Sequence, residues 1–304
     1  MTINDVVSVV IVNFNSGELL TDCVRSVLAS TVPVIIHVVD NASQDESLFL
    51  LQQSVCNDKR VHVVKNADNL GFAQAANLVL SDTSSDYLLF LNPDCLIRPD
   101  TLADFISVMD KNPQAGMAGG LVRNFDGSEQ AGCRRSVPTP WRTLVRIFYL
   151  DKFFPNSKYF ENFVLTCQPL PDKPIDVEGI SGACMFVRRS ALDAVGPMDE
   201  AYFLHCEDLD WFMRFRAQKW RILFVPDIEV VHVKGGCSRK QPIRVLWYKH
   251  RGMIRFYRKF FRARYPLLLF WGVIVLVWVR FTVLALIKLT IPAGLAKSRR
   301  SNKL

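Results

Sequence analysis

The sequence predicts an α/β fold with a mostly parallel sheet, followed by a basic helical tail that associates with a membrane. Short runs rich in Val, Ile and Leu alternate with amphipathic stretches from residue 6 onward, a pattern typical of parallel strands connected by helices. The apolar runs are nearly continuous, as expected for strands covered on both faces. Residues 230–304 contain 17 Lys and Arg and no Asp or Glu, whereas the first 229 residues carry 20 basic against 29 acidic side chains.

The N-terminal elements follow one another at the spacing of βαβ units. In chain order the predicted strands cover residues 6–13, 34–40, 60–65 and 87–92, and the predicted helices cover 17–30, 45–55, 71–82 and 100–111. Residues 123–175 contain six prolines and several aromatic residues, which predicts long loops and short helices that could form a flap. Regular structure resumes with a strand at 183–189, helices at 190–196 and 207–220, and a strand pair at 221–225 and 229–233, completing one domain over residues 1–236.

The cysteine pattern and the N-terminus indicate a cytosolic environment. Eight cysteines are spread singly, without a CxxC pair, which favours reduced and mostly buried thiols over a zinc or redox site. The first ten residues have no basic region and pass directly into strand-like sequence, so no secretory signal is predicted.

Polar residues follow three of the predicted strands. They are Asn13 and Asn15 after the first strand, Asp40 and Asn41 after the second, and Asn92 and Asp94 after the fourth. Each alone is an ordinary turn former, but ligands of open parallel sheets bind in the crevice beyond the carboxyl ends of the strands. Together these residues predict a binding site.

The residue types at these ends suit a pyrimidine nucleotide with a diphosphate. A uracil or thymine ring presents an N–H donor between two carbonyls, which Asp40 and a neighbouring amide can read. Asp94 can hold Mg²⁺ or Mn²⁺ against a diphosphate through oxygen ligands. Gly71, before a predicted helix, is either a loop glycine or a point where the backbone approaches a ligand.

Motifs along the chain resemble those of family 2 glycosyltransferases of the GT-A fold, and within them bacterial rhamnosyltransferases that build surface polysaccharide on a lipid carrier. The resemblance spans about residues 6–240, with the motifs in family order. It is carried by "VSVVIVNFNSGELLTDCVRSVL", "VVDNASQD", "NLGFAQAAN", "FLNPDC", "ISGACMFVRRSALDAVGPMDEAYFLHCEDLDWFMR" and "VVHVKGGCS".

The resemblance implies roles at the donor site. Asp40 would read the base, and "NPD" stands in place of the DxD motif, so Asp94 would bind Mn²⁺ or Mg²⁺ while Asn92 offers only a neutral oxygen. His232 either reaches the metal or diphosphate or is an ordinary structural histidine. The remaining residues expected to line or shape the nucleotide-sugar site are Asn13, Asn15, Asn41, Asn69, Gly71 and Asn77.

The segment "HCEDLDW" corresponds to the ED motif of the family, which implies that Asp208 is the general base of an inverting transfer. Glu207 would support it or contact the acceptor, and Asp210 is expected to be a charge on the helix surface. The alternative is that these acids only favour the first turn of a helix. Gly182 and Trp211 are expected at the acceptor, although Gly182 could merely end a tight turn, and Arg188 with Arg189 could be a solvated strand end.

The tail has two parts. Residues 237–265 interleave basic and aromatic side chains, as segments that lie on anionic lipid do, although nucleic acid is the rival partner for such a stretch. Within residues 266–304, 21 residues between Pro266 and Lys288 are long enough to cross a bilayer, which decides against nucleic acid. Arg280 interrupts this run, and both flanks are basic. We therefore favour monotopic or re-entrant attachment over a single crossing, with a buried core helix as the other alternative.

These observations predict a metal-dependent, inverting glycosyltransferase at the cytoplasmic face of the inner membrane. The expected donor is dTDP-L-rhamnose and the expected acceptor is a saccharide on polyprenyl diphosphate, as in O-antigen assembly. The alternatives are a UDP-hexose or galactofuranosyl transferase of the same fold, and a catalytically silent scaffold protein that binds sugar nucleotides.

Overall fold

The computed structural model describes residues 6–55, 58–154, 157–161, 163–233 and 242–290. The strands are β1 Val7–Asn13, β2 Val34–Asp40, β3 Val61–Lys65, β4 Tyr87–Leu91, β5 Cys95–Ile97, β6 Ala115–Arg123, β7 Arg134–Arg135, β8 Ile175–Asp176, β9 Gly179–Ile180, β10 Cys184–Arg188 and β11 Arg221–His232. The helices are α1 Leu19–Leu28, α2 Ser47–Ser54, α3 Phe72–Asn77, α4 Thr101–Lys111, α5 Pro140–Ile147, α6 Leu150–Phe153, α7 Arg189–Val195, α8 Glu207–Ala217, α9 Pro242–Phe260 and α10 Leu267–Thr290. Cys56, Cys237, most of the "VVHVKGGCS" motif and the basic end at 291–304 lie outside the described residues.

One large sheet confirms the predicted α/β fold. Its strands lie in the order β3-β2-β1-β4-β10-β6-β11-β5, and β8 pairs with β11. The pairs among β1, β2, β3 and β4 are parallel, as is the pair of β6 and β11. In contrast, β10 runs antiparallel to both of its neighbours, β4 and β6, so the second half of the sheet is mixed.

Hydrophobic clusters cover both faces of this sheet because successive strand residues point to opposite sides. On one face, Val7, Val9 and Ile11 of β1 pack with α1 and α4. The amphipathic spacing of α1 accounts for its position, since Leu20, Cys23, Val24 and Val27 are all buried there.

The other face of the sheet is covered by α3, α7 and α8, together with α9 and α10 from the predicted tail. Phe256 and Tyr257 of α9 are completely buried in this cluster, and Phe270 and Val273 of α10 nearly so. The tail helices therefore contribute to the same core as the sheet. The predicted boundary at residue 236 lies outside the described residues and stays a prediction.

Two predicted elements differ in the structure. The predicted strand pair at 221–233 is one strand, β11, with a register shift between Val225 and Glu229, where Pro226 removes a ladder donor. The helix predicted over 71–82 ends at Asn77 and is followed by a 3₁₀ turn at Leu80–Asp82. Residues 123–175 form α5, α6 and short 3₁₀ turns, in agreement with the predicted loops and short helices.

Arg188 and Arg189 are structural anchors rather than a solvated strand end. The Arg188 guanidinium donates to the carbonyls of Ala115, Met109 and Asn112, the last two at the carboxyl end of α4. Such bonds satisfy carbonyls that a helix end leaves without partners. Arg189 likewise donates to the backbone of Ser85 and Thr83.

We expect Gly71→Ala to lower the free energy of unfolding by about 2 to 4 kcal/mol, because a strained backbone and an overpacked contact add. Gly71 has a φ of +84°, and an added Cβ would lie 2.3 Å from the carbonyl oxygen of Phe203. Gly127→Ala is the matched control, since its φ is +79° with nothing within 4 Å of an added Cβ, and it should lose about 1 kcal/mol. Urea unfolding measures both, and equal losses would contradict the close approach.

Candidate active site

The carboxyl ends of β1 and β2 form the first part of the site. The strands are parallel and in register, with Asn13 opposite Asp40. The Asn13 amide, itself buried, donates to Asp40 Oδ1 over 2.7 Å and to Ser47 Oγ over 2.9 Å. The backbone N–H of Ser43 donates to Asp40 Oδ2 over 3.1 Å. A buried carboxylate bound by two donors keeps acceptor capacity for one more, such as a ring N–H.

Two further amides shape the loops around this carboxylate. Asn15 adopts a left-handed backbone with φ 54°, and its Oδ1 accepts from the N–H of Gln44 over 2.8 Å. Asn41 is buried; it donates to the carbonyl of Gly71 and accepts from the Asn66 amide, both over 2.9 Å. The loops after β1 and β2 are thus held to each other and to the start of α3.

Helix α3 is fixed at both ends by residues expected at the donor site. Asn69 and Gly71 lie at its start, and Asn77 connects its end to the chain that precedes α8. Asn69 Oδ1 accepts from the N–H of Gly71 over 2.9 Å. The Asn77 amide donates to the carbonyl of Met198 and accepts from its N–H. These bonds give each residue a structural task, and their predicted contacts with the donor stay predictions.

Asp94 and His232 are brought together from opposite ends of the site. Asp94 is nearly buried, and its Oδ1 lies 3.1 Å from His232 Nε2. The other ring nitrogen, His232 Nδ1, lies 2.7 Å from the side-chain oxygen of Gln130, whose amide nitrogen donates to Asn124 Oδ1. With Gln130 accepting from Nδ1–H, the other ring nitrogen, Nε2, faces the Asp94 carboxylate, where it can donate an N–H or, when deprotonated, bind a cation.

This geometry fits a divalent cation. A carboxylate oxygen beside an imidazole nitrogen can hold a divalent cation, and this donor pair suits Mn²⁺ better than Mg²⁺, which prefers oxygen ligands alone. Cys95 lies close enough to join them, since the three ligand atoms are within 4.8 Å of one another. Burial, reinforced by the charge of Asp94, raises the pKa of the Cys95 thiol well above its usual value, which makes it a poor ligand. Asn92 is fixed by its backbone N–H, which donates to the carbonyl of Ala183 over 2.9 Å.

Asp208 lies at the start of α8, where Arg135 of β7 forms an ion pair with its Oδ2. Its other oxygen, Oδ1, accepts from the N–H of Leu209 over 2.7 Å. Gly182 makes room for this carboxylate, because an added Cβ there would lie 3.0 Å from Asp208 Oδ2. Asp208 is 15% exposed, so it is reachable from the crevice.

Glu207 differs from Asp208 in its hydrogen-bond partners and in its pKa. It is buried, and its Oε2 has no hydrogen-bond partner among the described residues. Burial, followed by the charge of Asp208, raises the pKa of Glu207 well above its usual range. This shift favours the neutral form of Glu207 beside Asp208.

Two expectations about α8 are wrong. Asp210 is completely buried rather than on the helix surface, and it forms ion pairs with Arg214 over 2.9 Å and with Lys259 of α9 over 2.6 Å. Trp211 cannot contact an acceptor, because it is completely buried against Phe90 and donates to the carbonyl of Gly196. The apolar period of α8 predicted the helix but not which of its polar residues face inward.

Arg135, Gln130 and Ser43 are site residues that the sequence did not identify. Arg135 from the irregular region and Gln130 from the loop after β6 contact predicted residues from segments without a distinctive pattern. Ser43 contacts Asp40 from within the motif "VVDNASQD", in which only Asp40 and Asn41 were singled out. A cavity of about 350 Å³ lies elsewhere, beside Tyr87 and Arg188. Tyr87 is the first residue of β4, and Arg188 pairs with it from β10. The cavity is therefore at the opposite end of these strands from the candidate site.

Comparison with known proteins identifies the family of the chain. A profile of "Glycosyl transferase family 2" matches residues 8–196. An N-acetylglucosaminyl-diphospho-decaprenol L-rhamnosyltransferase of Mycobacterium tuberculosis is 28% identical over 259 residues, covering 81% of this chain and 82% of that protein. Rhamnosyltransferase WbbL of Escherichia coli K12 is 27% identical over 149 residues, covering 48% of this chain and 52% of that protein.

The fold also matches solved structures. The mannosyltransferase PcManGT of Pyrobaculum calidifontis, solved with GDP-Man and Mn²⁺, superposes with a TM-score of 0.59 at 15% identity, covering 97% of this chain and 79% of that one. At this identity the likeness shows the GT-A fold alone. With the profile covering more than half of its residues, the chain belongs to glycosyl transferase family 2.

Proposed function

We propose that this protein transfers L-rhamnose, with inversion, from dTDP-L-rhamnose to a saccharide on polyprenyl diphosphate at the cytoplasmic face of the membrane. The observation that carries the proposal is the similarity over four-fifths of both chains to a rhamnosyltransferase whose name specifies a decaprenol-linked acceptor. A saccharide that ends in N-acetylglucosamine is accordingly the acceptor to test first.

Asp208 takes the acceptor proton in this proposal. As the acceptor oxygen attacks the anomeric carbon from the face opposite the nucleotide, one carboxylate must accept its proton. Arg135 pairs with Asp208 and fixes its orientation until the acceptor arrives. Glu207, being neutral, adds no repulsion next to it.

Asp94 and His232 would hold the divalent cation, with Gln130 orienting the histidine ring. A bound Mn²⁺ or Mg²⁺ would offset the charge that develops on the leaving diphosphate. Asp40, held by Asn13 and Ser43, would accept the ring N–H of thymine or uracil. Asp40 would thus contact the base of the donor from one side of the crevice, and the cation held by Asp94 and His232 would contact its diphosphate from the other.

The tail helices support a monotopic attachment. Among the described residues, one helix, α10, has the length and apolar composition to cross a membrane. One side of it, however, packs into the enzyme core through Phe270, Val273 and Val277. Arg280, which interrupts the apolar run, contacts His250 Nε2 of α9 over 3.3 Å. Because α10 is fixed to α9 in this way, attachment at the bilayer surface is favoured over a single crossing.

The first test concerns the donor. We expect dTDP-L-rhamnose to raise the melting temperature of the purified protein, since a ligand at 100 times its Kd adds about 2.7 kcal/mol to stability. Stabilisation by UDP-hexoses or UDP-galactofuranose instead would favour the alternative donors. Stabilisation without any donor hydrolysis or transfer would favour a silent binding protein.

The second test concerns the base. Asp208→Asn should preserve donor affinity and reduce turnover by about 100-fold to 10,000-fold, the range for a positioned general base. Glu207→Gln should cost less, because the neutral amide resembles the protonated acid. Asp193→Asn, 64% exposed on α7, is the matched control. More than about a tenth of native turnover in folded, donor-binding Asp208→Asn would exclude the role.

The third test concerns the metal. Asp94→Ala should abolish high-affinity Mn²⁺ binding, measured by electron paramagnetic resonance, and weaken binding of the sugar nucleotide. Binding of bare thymidine should be unchanged, because a nucleoside has no diphosphate to bridge. Asp100→Ala, at an exposed carboxylate, is the control. Equal loss of nucleoside and sugar nucleotide would mean that Asp94 only shapes the turn.

A further inference from the structure

A cluster of aromatic side chains lies exposed on the α5–α6 segment. Phe148, Tyr149, Phe153 and Phe154 are each more than half exposed, and Phe153 reaches 74%. Isolated exposed apolar residues are normal on a protein surface, whereas a contiguous group marks an interaction surface. We call these four residues the α5–α6 aromatic face.

The α5–α6 aromatic face adjoins the helix proposed to contact the membrane. Helix α5 packs against α10, and Thr143 of α5 hydrogen-bonds to Tyr257 of α9 over 2.6 Å. On α10 the side away from the core exposes Leu268, Trp271, Val275 and Val279, spaced by three or four residues as one helical face requires. The two exposed apolar surfaces therefore belong to packed neighbours.

Charges on α9 distinguish a lipid partner from an apolar protein partner. Arg255 and Lys259 are neutralised by Asp199, and Lys259 also by Asp210. In contrast, Arg251 and Arg258 of α9, and Arg262 just beyond its end, are exposed, without an acidic partner among the described residues. Apolar aromatic surface beside uncompensated arginines is complementary to the headgroups and acyl boundary of an anionic bilayer.

We propose that the α5–α6 aromatic face is a second contact with an anionic phospholipid bilayer, beside α10. The inference rests on the proposed membrane attachment and extends it to a segment within the catalytic domain. Phe153 and its neighbours insert at the headgroup boundary, while the arginines of α9 face the lipid phosphates. The apolar surface that this covers is otherwise exposed to water.

This contact would present the catalytic carboxylate to a lipid-linked acceptor. The segment that enters α5 begins at Arg135, which pairs with Asp208. It continues through Val137 and Arg142, both bound to Glu178. Because α5 is only about 12 Å long, an insertion at its end holds Asp208 close to the headgroup layer. A saccharide attached to a diphosphate in the headgroup layer would then lie close to Asp208.

Site-specific fluorescence tests the contact in the full-length protein. In a background with Cys56, Cys167 and Cys237 replaced by serine, single variants Phe153→Cys, Val275→Cys and Phe49→Cys are labelled with an environment-sensitive dye. Phe49 on α2 is 59% exposed and lies on the other face of the sheet, which makes it the matched control. Each labelled protein is added to phosphatidylglycerol–phosphatidylethanolamine vesicles that carry a doxyl-lipid quencher.

We expect the dye at positions 153 and 275 to lose at least about half of its emission through quenching, and the dye at position 49 to be unaffected, as for interfacial insertion. Quenching at 275 alone would overturn the inference and leave attachment by α10 intact. Quenching at neither position would contradict both this inference and the proposed attachment. Equal quenching at position 49 would mean non-specific adsorption and would also overturn it.

Discussion

The backbone turn that precedes β10 holds the two halves of the site together. The carbonyl of Ala183 accepts from the N–H of Asn92 and lies 3.5 Å from Cys95 Sγ, which fixes the loop that carries Asp94. One residue earlier, Gly182 leaves space for the Asp208 carboxylate. Because β10 is antiparallel to β4, its start lies beside the end of β4. A single turn therefore contacts both the loop that carries Asp94 and the proposed base.

Compensation of buried charge organises the region around α8. Three acids within four residues, Glu207, Asp208 and Asp210, would repel one another if all were ionised and unpaired. Asp208 is paired with Arg135, Asp210 with Arg214 and Lys259, and Glu207 remains protonated. The charge of each acid is thus compensated in a different way. Of the three, only Asp208 combines an ion pair with access to the crevice.

Lys259 connects this arrangement to the helices proposed to contact the membrane. It reaches Asp210 from α9, and Gly252 of α9 approaches the carbonyl of His205 so closely that an added Cβ would lie 2.7 Å away. The helix that would lie at the bilayer is therefore packed directly on the loop that positions the proposed base. Removing the tail would expose core residues such as Phe256 and Phe270, so point changes on exposed faces probe membrane contact more cleanly than truncation does.

The sequence alone determined the α/β class, the order of the N-terminal elements and the polar residues after β1, β2 and β4, because hydrophobic period and strand ends are local properties. It did not show that Asp210 and Trp211 are buried, since facing directions on α8 depend on α9 and Phe90. Nor did it indicate Arg135 or Gln130, which reach Asp208 and His232 across 73 and 102 residues. Such pairings are set by how β7, the loop after β6 and β11 pack together, and only the tertiary structure decides that.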